Sequence, residues 1–372
     1  MIHMNRLLAI ARKEVLQLRR DRRSLALAFV LPLVLVVIFA YGISWDVNDI
    51  QTVVVDQDWT ARSRSLVDAF RASGYFVIEE VASSDEVDIL VDRGEAQLAI
   101  VIPPGFARDL GSGIPAQIQA IVDGSDANTA TIVLGYAQAV TQAYAKALLE
   151  SRGVTPQPAV TLQTRVWYNE ELLSRNMIVP GLVAVIMMII AAMLTSLTIA
   201  REWERGTMEQ LASTPVGRSE VVLGKLLPYL AIGVIDVILA SLLGVWLFGV
   251  PFRGSVALLM VASTLFLIGA LGLGMFISAA TRSQLLATQV AMIVTFLPAF
   301  LLSGFMYSIA VMPRGLQLVT YLIPARYFVV VTRGVFLKGV GPGVLYVQAL
   351  MMVAFAAVGL FLSVRVFKKE IA

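Results

Sequence analysis

Six long stretches of this 372-residue chain carry almost no charge, and that pattern constrains its fold more than any other feature. They lie between Arg23 and Asp46, Arg175 and Arg201, Lys225 and Arg253, Arg253 and Arg282, Arg282 and Arg314, and Lys338 and Arg365. Only Asp236 interrupts them. A helix crossing a bilayer needs about 20 predominantly apolar residues. The runs therefore predict spans over residues 24–44, 177–200, 226–249, 256–280, 285–306 and 343–364. One such run could be the core helix of a soluble domain, but six argue for a mainly α-helical polytopic membrane protein. The first run is read as a permanent helix rather than a cleaved leader. Its basic flank is too long, and no small-x-small site follows Tyr41-Gly42-Ile43-Ser44.

Basic residues orient the spans. Residues 1–23, the segment 201–225, Arg282 and the tail 365–372 together hold 15 Lys and Arg, whereas the opposite short loops hold 5. The richer side is predicted to be cytoplasmic, with both termini there. Residues 45–176 then lie outside. Positions 46–175 carry 9 basic and 18 acidic residues, in a chain whose net charge is +3. That composition reads as a water-soluble insert. Its periodicity reads as α/β: strands at 51–56, 75–81, 97–102, 116–122 and 161–168, helices at 60–73, 84–94 and 125–150. Repeated strand–helix alternation favours a partly parallel sheet.

The chain has no cysteine and one histidine, His3. Thiolate metal sites, cysteine nucleophiles, His-based triads and multi-His zinc centres are excluded. No metal or cofactor is expected on this chain, and no nucleic-acid partner. Within the insert, Asp56/Asp58 and Asp123/Asp126 admit two readings: a divalent cation site, or turn and helix-cap chemistry. The cap reading is favoured.

Residues 4–20 place Leu7, Leu8, Ala11, Val15 and Leu18 at helical spacing, with Arg12, Lys13, Arg19 and Arg20 largely off that stripe. This predicts a basic amphipathic helix suited to the inner leaflet. The stretch Arg201-Glu202-Trp203-Glu204-Arg205-Gly206-Thr207-Met208-Glu209-Gln210-Leu211 is dense in charge between two apolar spans. On a helix, Glu202/Arg205 and Arg205/Glu209 would pair. Trp203, Met208 and Leu211 would serve as apolar anchors. A solvated connector is the plainer alternative.

That stretch, continued by Thr214-Pro215-Val216, Glu220 and Gly224-Lys225-Leu226-Leu227-Pro228-Tyr229, resembles type-2 ATP-binding-cassette exporter permeases. So do Gly304-Phe305-Met306, Met312-Pro313, Pro324-Ala325-Arg326-Tyr327-Phe328 and Arg333–Gly339. A large outer domain after the first of six spans matches the bacterial subgroup. Ser308 departs from the pattern, where proline is expected. The resemblance implies a half-transporter in the bacterial cytoplasmic (inner) membrane. Two permease chains, identical or sister, would sit on two cytoplasmic ATPase subunits that hold ATP and Mg. The loop at 201–213 would be the coupling helix, with 201–210 its candidate ATPase-coupling residues, residues 1–23 the connecting helix, and the outer domain a candidate surface for a periplasmic adaptor. The chain's own nearest approach to a P-loop, Gly217 to Gly224-Lys225-Leu226, has the wrong spacing and lacks the hydroxyl. ATP would be hydrolysed elsewhere.

Between Arg314 and Lys338 the uncharged gaps are too short to span. They predict short helices dipping into the outer leaflet across 307–340, broken at Pro313 and Pro324. The resemblance makes this element an outer lid, with Gly304, Phe305, Pro313, Pro324, Tyr327 and Phe328 its candidate residues. It also makes Met187, Met188, Phe296, Phe300 and Leu301 candidates for the wall of the translocation path. Gly269, Gly272 and Gly274 favour close helix approach. Asp236, the only acid within a span, could act in transport while protonated, facing water or paired across a dimer, or could serve a structural hydrogen bond. The leading reading is the permease of an ATP-driven exporter of hydrophobic or amphipathic molecules: drug-like compounds, lipids or lipid-linked compounds. An ion-coupled secondary transporter using Asp236 is the alternative, though spans 1–3 and 4–6 show no clear repeat. A membrane-anchored sensor would need no six-span bundle.

Overall fold

A computed structural model describes residues 3–43, 49–153, 167–171 and 173–367. The chain divides into two compact units, Met1–Ser44 with Val166–Ala372, and Trp45–Arg165.

The first unit begins with helices α1 (Met4–Arg20) and α2 (Arg22–Gly42). The second unit is α/β, in the order β1 (Ile50–Asp56), α3 (Ala61–Ala72), β2 (Phe76–Glu80), α4 (Ser84–Asp92), β3 (Leu98–Ile102), α5 (Phe106–Ser112), β4 (Gln119–Val122) and α6 (Ala127–Ser151). The strands lie in the order β2-β1-β3-β4. β1 pairs parallel with β2 and β3, and β4 closes antiparallel on β3. Alternate residues of β1 feed two cores. Ile50 and Val54 pack with Leu66 and Phe70 of α3 and Val133 of α6, while Val53 and Val55 pack with Val87 of α4 and Ala99. Burial on both faces is why Val53, Val54 and Val55 stand in β1 as consecutive apolar residues. The pattern missed α5, which is only 7 residues long, about two turns of helix, and carries little periodicity. The expected strand at 161–168 falls mostly outside the described residues, and Trp167 and Tyr168 are not in a strand.

The aspartates of this unit act as caps and turn formers. Asp56 accepts from the amides of Asp58 and Trp59 and from Ser63 Oγ. Asp58 accepts from Thr60 Oγ1 at 2.7 Å and from the amides of Gly105 and Ala107 at 2.8 and 3.0 Å. Those donors hold its carboxyl below the usual range, Thr60 most of all. Asp123 accepts from the Ser125 amide, and Asp126 from Thr129 Oγ1. Among the described residues no cluster could hold a metal ion.

The rest of the first unit is helical: α7 (Ser174–Glu204), α8 (Met208–Ala212), α9 (Arg218–Trp246), α10 (Val256–Thr281), α11 (Gln284–Leu301), α12 (Arg314–Thr320), α13 (Pro324–Arg333) and α14 (Tyr346–Val366). Each uncharged run therefore holds a helix, which satisfies its own backbone groups where water is absent. Among the described residues five helices, α7, α9, α10, α11 and α14, are long and apolar enough to cross a membrane. The apolar stretch of α2 among the described residues, Ala28–Gly42, is shorter. α12 and the helix Pro324–Lys338, whose last turn is π-helical, meet at 81° across the Pro324 break.

α7 is the central element. It is almost wholly enclosed, and α2, α9, α10, α11 and α13 all pack on it. Without a hydrophobic force between helices in lipid, small residues and hydrogen bonds supply the packing. Gly272 meets the backbone of Gly359 so closely that an added Cβ would stand 2.9 Å from its carbonyl carbon, and Gly274 abuts Ala192 and Thr195. Thr195 Oγ1 donates to the Leu271 carbonyl at 2.9 Å, and Ser363 Oγ to that of Gly272 at 2.7 Å. The expected close approach of the span-4 glycines is thus realised against α14 and α7.

Candidate functional site

The charged ends of α7 and α9 meet α1 around a buried ion cluster. Lys225 of α9 is 2% exposed and reaches Glu14 of α1 and Glu202 of α7, the latter at 3.1 Å. Glu202 is also held by Lys13 Nζ at 2.9 Å and by Thr207 Oγ1. Gly224 brings α9 against α1: an added Cβ would lie 2.8 Å from Ile10 Cβ and 3.0 Å from the Leu7 carbonyl oxygen. The Glu220 carboxylate accepts from the His3 amide at 2.7 Å and, as a cap of its own helix, from the Gly217 amide at 2.9 Å.

This geometry revises the reading of α1. Its inward face is Leu7, Ile10, Glu14 and Leu18, whereas Leu8 and Val15 are exposed. Glu14 lies on this inward face, where Lys225 pairs with it. Arg12, Lys13, Arg19 and Arg20 lie on the exposed side.

The expected helix through 201–211 is also revised. Arg201 to Glu204 continue α7, and the chain breaks at Arg205-Gly206-Thr207, where Gly206 takes φ +69. A new short helix, α8, follows. The pairs Glu202/Arg205 and Arg205/Glu209 need an unbroken helix and do not form among the described residues. Glu202 turns instead toward Lys225 and Lys13. Arg201 pairs with Asp21 at 3.2 Å. Glu204 accepts from the amide of Gln284 at 2.7 Å and from its side chain, so it caps the start of α11. Trp203 lies under the Arg282 guanidinium, 4.5 Å from its ring centroid. Met208 is buried and Leu211 half-buried. Arg205, Gly206, Glu209 and Gln210 are exposed. Sequence reasoning missed Glu14, Asp21 and Gln284 as parts of this site, and included Lys225 in the coupling loop without foreseeing its ion pairs. The one local signal was the presence of acids inside an otherwise basic segment.

The chain belongs to the ABC-2 transporter family. The pattern of that family, described as ABC-2 family transporter protein, matches residues 22–365. The chain is 40% identical over 352 residues to a protein of Escherichia coli K12 named probable multidrug ABC transporter permease YbhS, covering 94% of this chain and 93% of that one. It is 31% identical over 336 residues to the probable multidrug ABC transporter permease YbhR of the same organism, covering 90% of each. A more distant relative, at 24% over 350 residues, is the linearmycin resistance permease protein LnrN of Bacillus subtilis, with 87% of this chain and 89% of that one covered. The chain is thus a multi-pass membrane permease, a transport subunit and not an enzyme. This membership displaces the ion-coupled alternative.

At the other end of the bundle, Arg333 gathers three backbone carbonyls. Its guanidinium donates to those of Met177, Gly304 and Phe305 at 3.2, 3.0 and 3.1 Å. This clasp joins α13, the start of α7 and the turn after α11. Gly304 has φ +80, and Phe305 is buried against Gly181. Pro313 precedes α12, and Pro324 opens α13. Phe328 stacks on Phe266 with centroids 4.3 Å apart, and Tyr327 donates to the Tyr321 carbonyl. Of the candidate wall residues, Met187 and Met188 are buried within α7's surroundings, Phe296 and Phe300 stack on one another, and Leu301 is exposed on α11. Asp236 is 1% exposed on α9, and its Oδ1 has no hydrogen-bond partner among the described residues.

Proposed function

We propose that this permease exports hydrophobic or amphipathic molecules from the cytoplasm or inner leaflet, driven by a separate ATPase gripping the face around α8. The observation that carries this reading is the exposed rim Arg205-Gly206, Glu209 and Gln210, mounted on the buried Glu14–Lys225–Glu202 cluster. A displaced rim would drag α1, α7 and α9 together, because their charges cannot separate in a low-dielectric interior without a large penalty. Two such chains, identical or sister, would stand over two ATPase subunits. ATP and Mg would reside on those subunits. Both termini and α8 would face the cytoplasm, in a bacterial inner membrane. Residues 45–176 would lie outside, where a periplasmic adaptor could bind. The bent α12–α13 element, with the Arg333 clasp, would lid the outer end of a route passing Met187, Met188, Phe296, Phe300 and Leu301. The relatives' names, multidrug and linearmycin resistance, support a drug-like cargo.

The test is co-purification of a P-loop ATPase after mild detergent extraction. Glu204 is committed to Gln284, so the informative reversal is Glu209→Arg with Arg205→Glu. Loss of a stoichiometric ATPase from a well-folded double variant supports the assignment. Unchanged association places the contact elsewhere.

A further inference from the structure

Beside the ion cluster, α1 and the end of α7 enclose an open groove of about 990 Å³. We infer that this groove binds the phosphate headgroup of an anionic phospholipid, with the lipid's glycerol and upper acyl carbons against α1. The inference rests on the proposed placement of this face at the inner leaflet.

Three observations carry it. The first is charge. Arg12, Lys13, Arg20, Arg201 and Arg205 line the groove, with Asp21 the one acid among them. Lys13 is engaged by Glu202, and Arg201 by Asp21. Arg12 and Arg20 are exposed and form no ion pair among the described residues, while Arg205, at the groove's edge, belongs to the proposed ATPase rim. Two uncompensated guanidiniums around one hollow favour a bidentate anion, and guanidinium matches phosphate geometry. The second is the order of residues along α1. Leu8, Arg12, Leu16 and Arg20 follow at intervals of four and form one ridge of the helix. Leu8 is 53% exposed and Leu16 47%. A soluble phosphate has no use for those apolar side chains, whereas an amphiphile meets both chemistries in turn. The third is depth. The uncharged stretch of α7 ends at Ala200, and Arg201 of the groove follows at once. That is the level at which lipid phosphates stand, and basic pockets there recognise anionic headgroups.

The test uses the full chain, purified in mild detergent and titrated with short-chain phosphatidylglycerol, short-chain phosphatidylcholine or inorganic phosphate. Bound lipid is read by native mass spectrometry. Saturable binding is expected for phosphatidylglycerol, at least tenfold tighter than for phosphatidylcholine. Arg12→Gln with Arg20→Gln should weaken it about 25-fold, at about fivefold per surface cation. Arg12→Lys with Arg20→Lys should retain binding within a few-fold. Leu8→Gln with Leu16→Gln should weaken the lipid and leave phosphate unaffected. Equal binding of the two lipids, or affinity unmoved by the double glutamine variant, overturns the proposal. Inorganic phosphate that competes as tightly as the lipid also overturns it, because the occupant is then a soluble anion. The readout does not depend on orientation. A cysteine placed at Asn5 of this cysteine-free chain, labelled in intact cells, tests the inner-leaflet placement separately.

Discussion

Lys225→Met is the most informative single perturbation of the coupling face. Lys225 is buried between Glu14 and Glu202, and methionine keeps its length while removing the charge. The two acids then fare differently. Glu202 retains Lys13 and Thr207, whereas Glu14, only 3% exposed, has no other ion-pair partner among the described residues. Removing one member of a buried pair typically costs about 3–5 kcal/mol, because the other charge is stranded. Most of the loss should therefore trace to Glu14. Adding Glu14→Gln to Lys225→Met should recover at least about 1.5 kcal/mol, near the low end measured for close buried charge pairs. Stability is read from equilibrium unfolding of the purified chain in mixed detergent. ATPase co-purification provides a second readout, which should fall in the single variant and return in the double. A Lys225→Met variant of ordinary stability, or a Glu14–Lys225 coupling below about 0.5 kcal/mol, would refute the claim that this cluster fastens α1 to α9.

Asp58 has its carboxyl lowered by Thr60 and by the amides of Gly105 and Ala107. A depressed carboxyl stabilises the fold above its unfolded value, about pH 4, and loses that contribution as pH falls through the folded value. Measured against the intrinsic exchange rate at each pH, the amides of Gly105 and Ala107 should stay protected at neutral pH and lose protection only in acid, and Asp58→Asn should lower that protection at neutral pH. Gly272→Leu should destabilise by at least about 1–3 kcal/mol through overpacking against Gly359, measured by the same unfolding assay, whereas a normal variant would mean that α10 and α14 do not touch there. Asp236→Asn preserves shape and is expected to impair transport while leaving assembly intact. Full transport would remove Asp236 from the mechanism.

The uncharged runs determined the helical character of the chain. In lipid, every peptide group must be satisfied within its own segment. The α/β unit was legible for the same local reason: Gln51–Asp56 and Gln97–Ile102 are short apolar runs between turn residues, and helices with clear periodicity follow the strands. The coupling face was legible only as a place. Periodicity drew the stripe of α1 through Leu7, Leu8, Ala11, Val15 and Leu18 and gave Glu14 no role. Its partner, Lys225, lies 211 positions away, and packing against Gly224 is what makes burial of both tolerable. The break at Gly206 likewise removed the short-range pairs that spacing offered to Arg205. Arg333 reads in sequence as an interfacial charge, yet it clasps carbonyls at Met177, Gly304 and Phe305. Local pattern decides which segments become helix or strand, since their own backbone bonds and apolar surface respond to it. Which charges meet depends on distant segments sharing a low-dielectric site, and that only the tertiary structure decided.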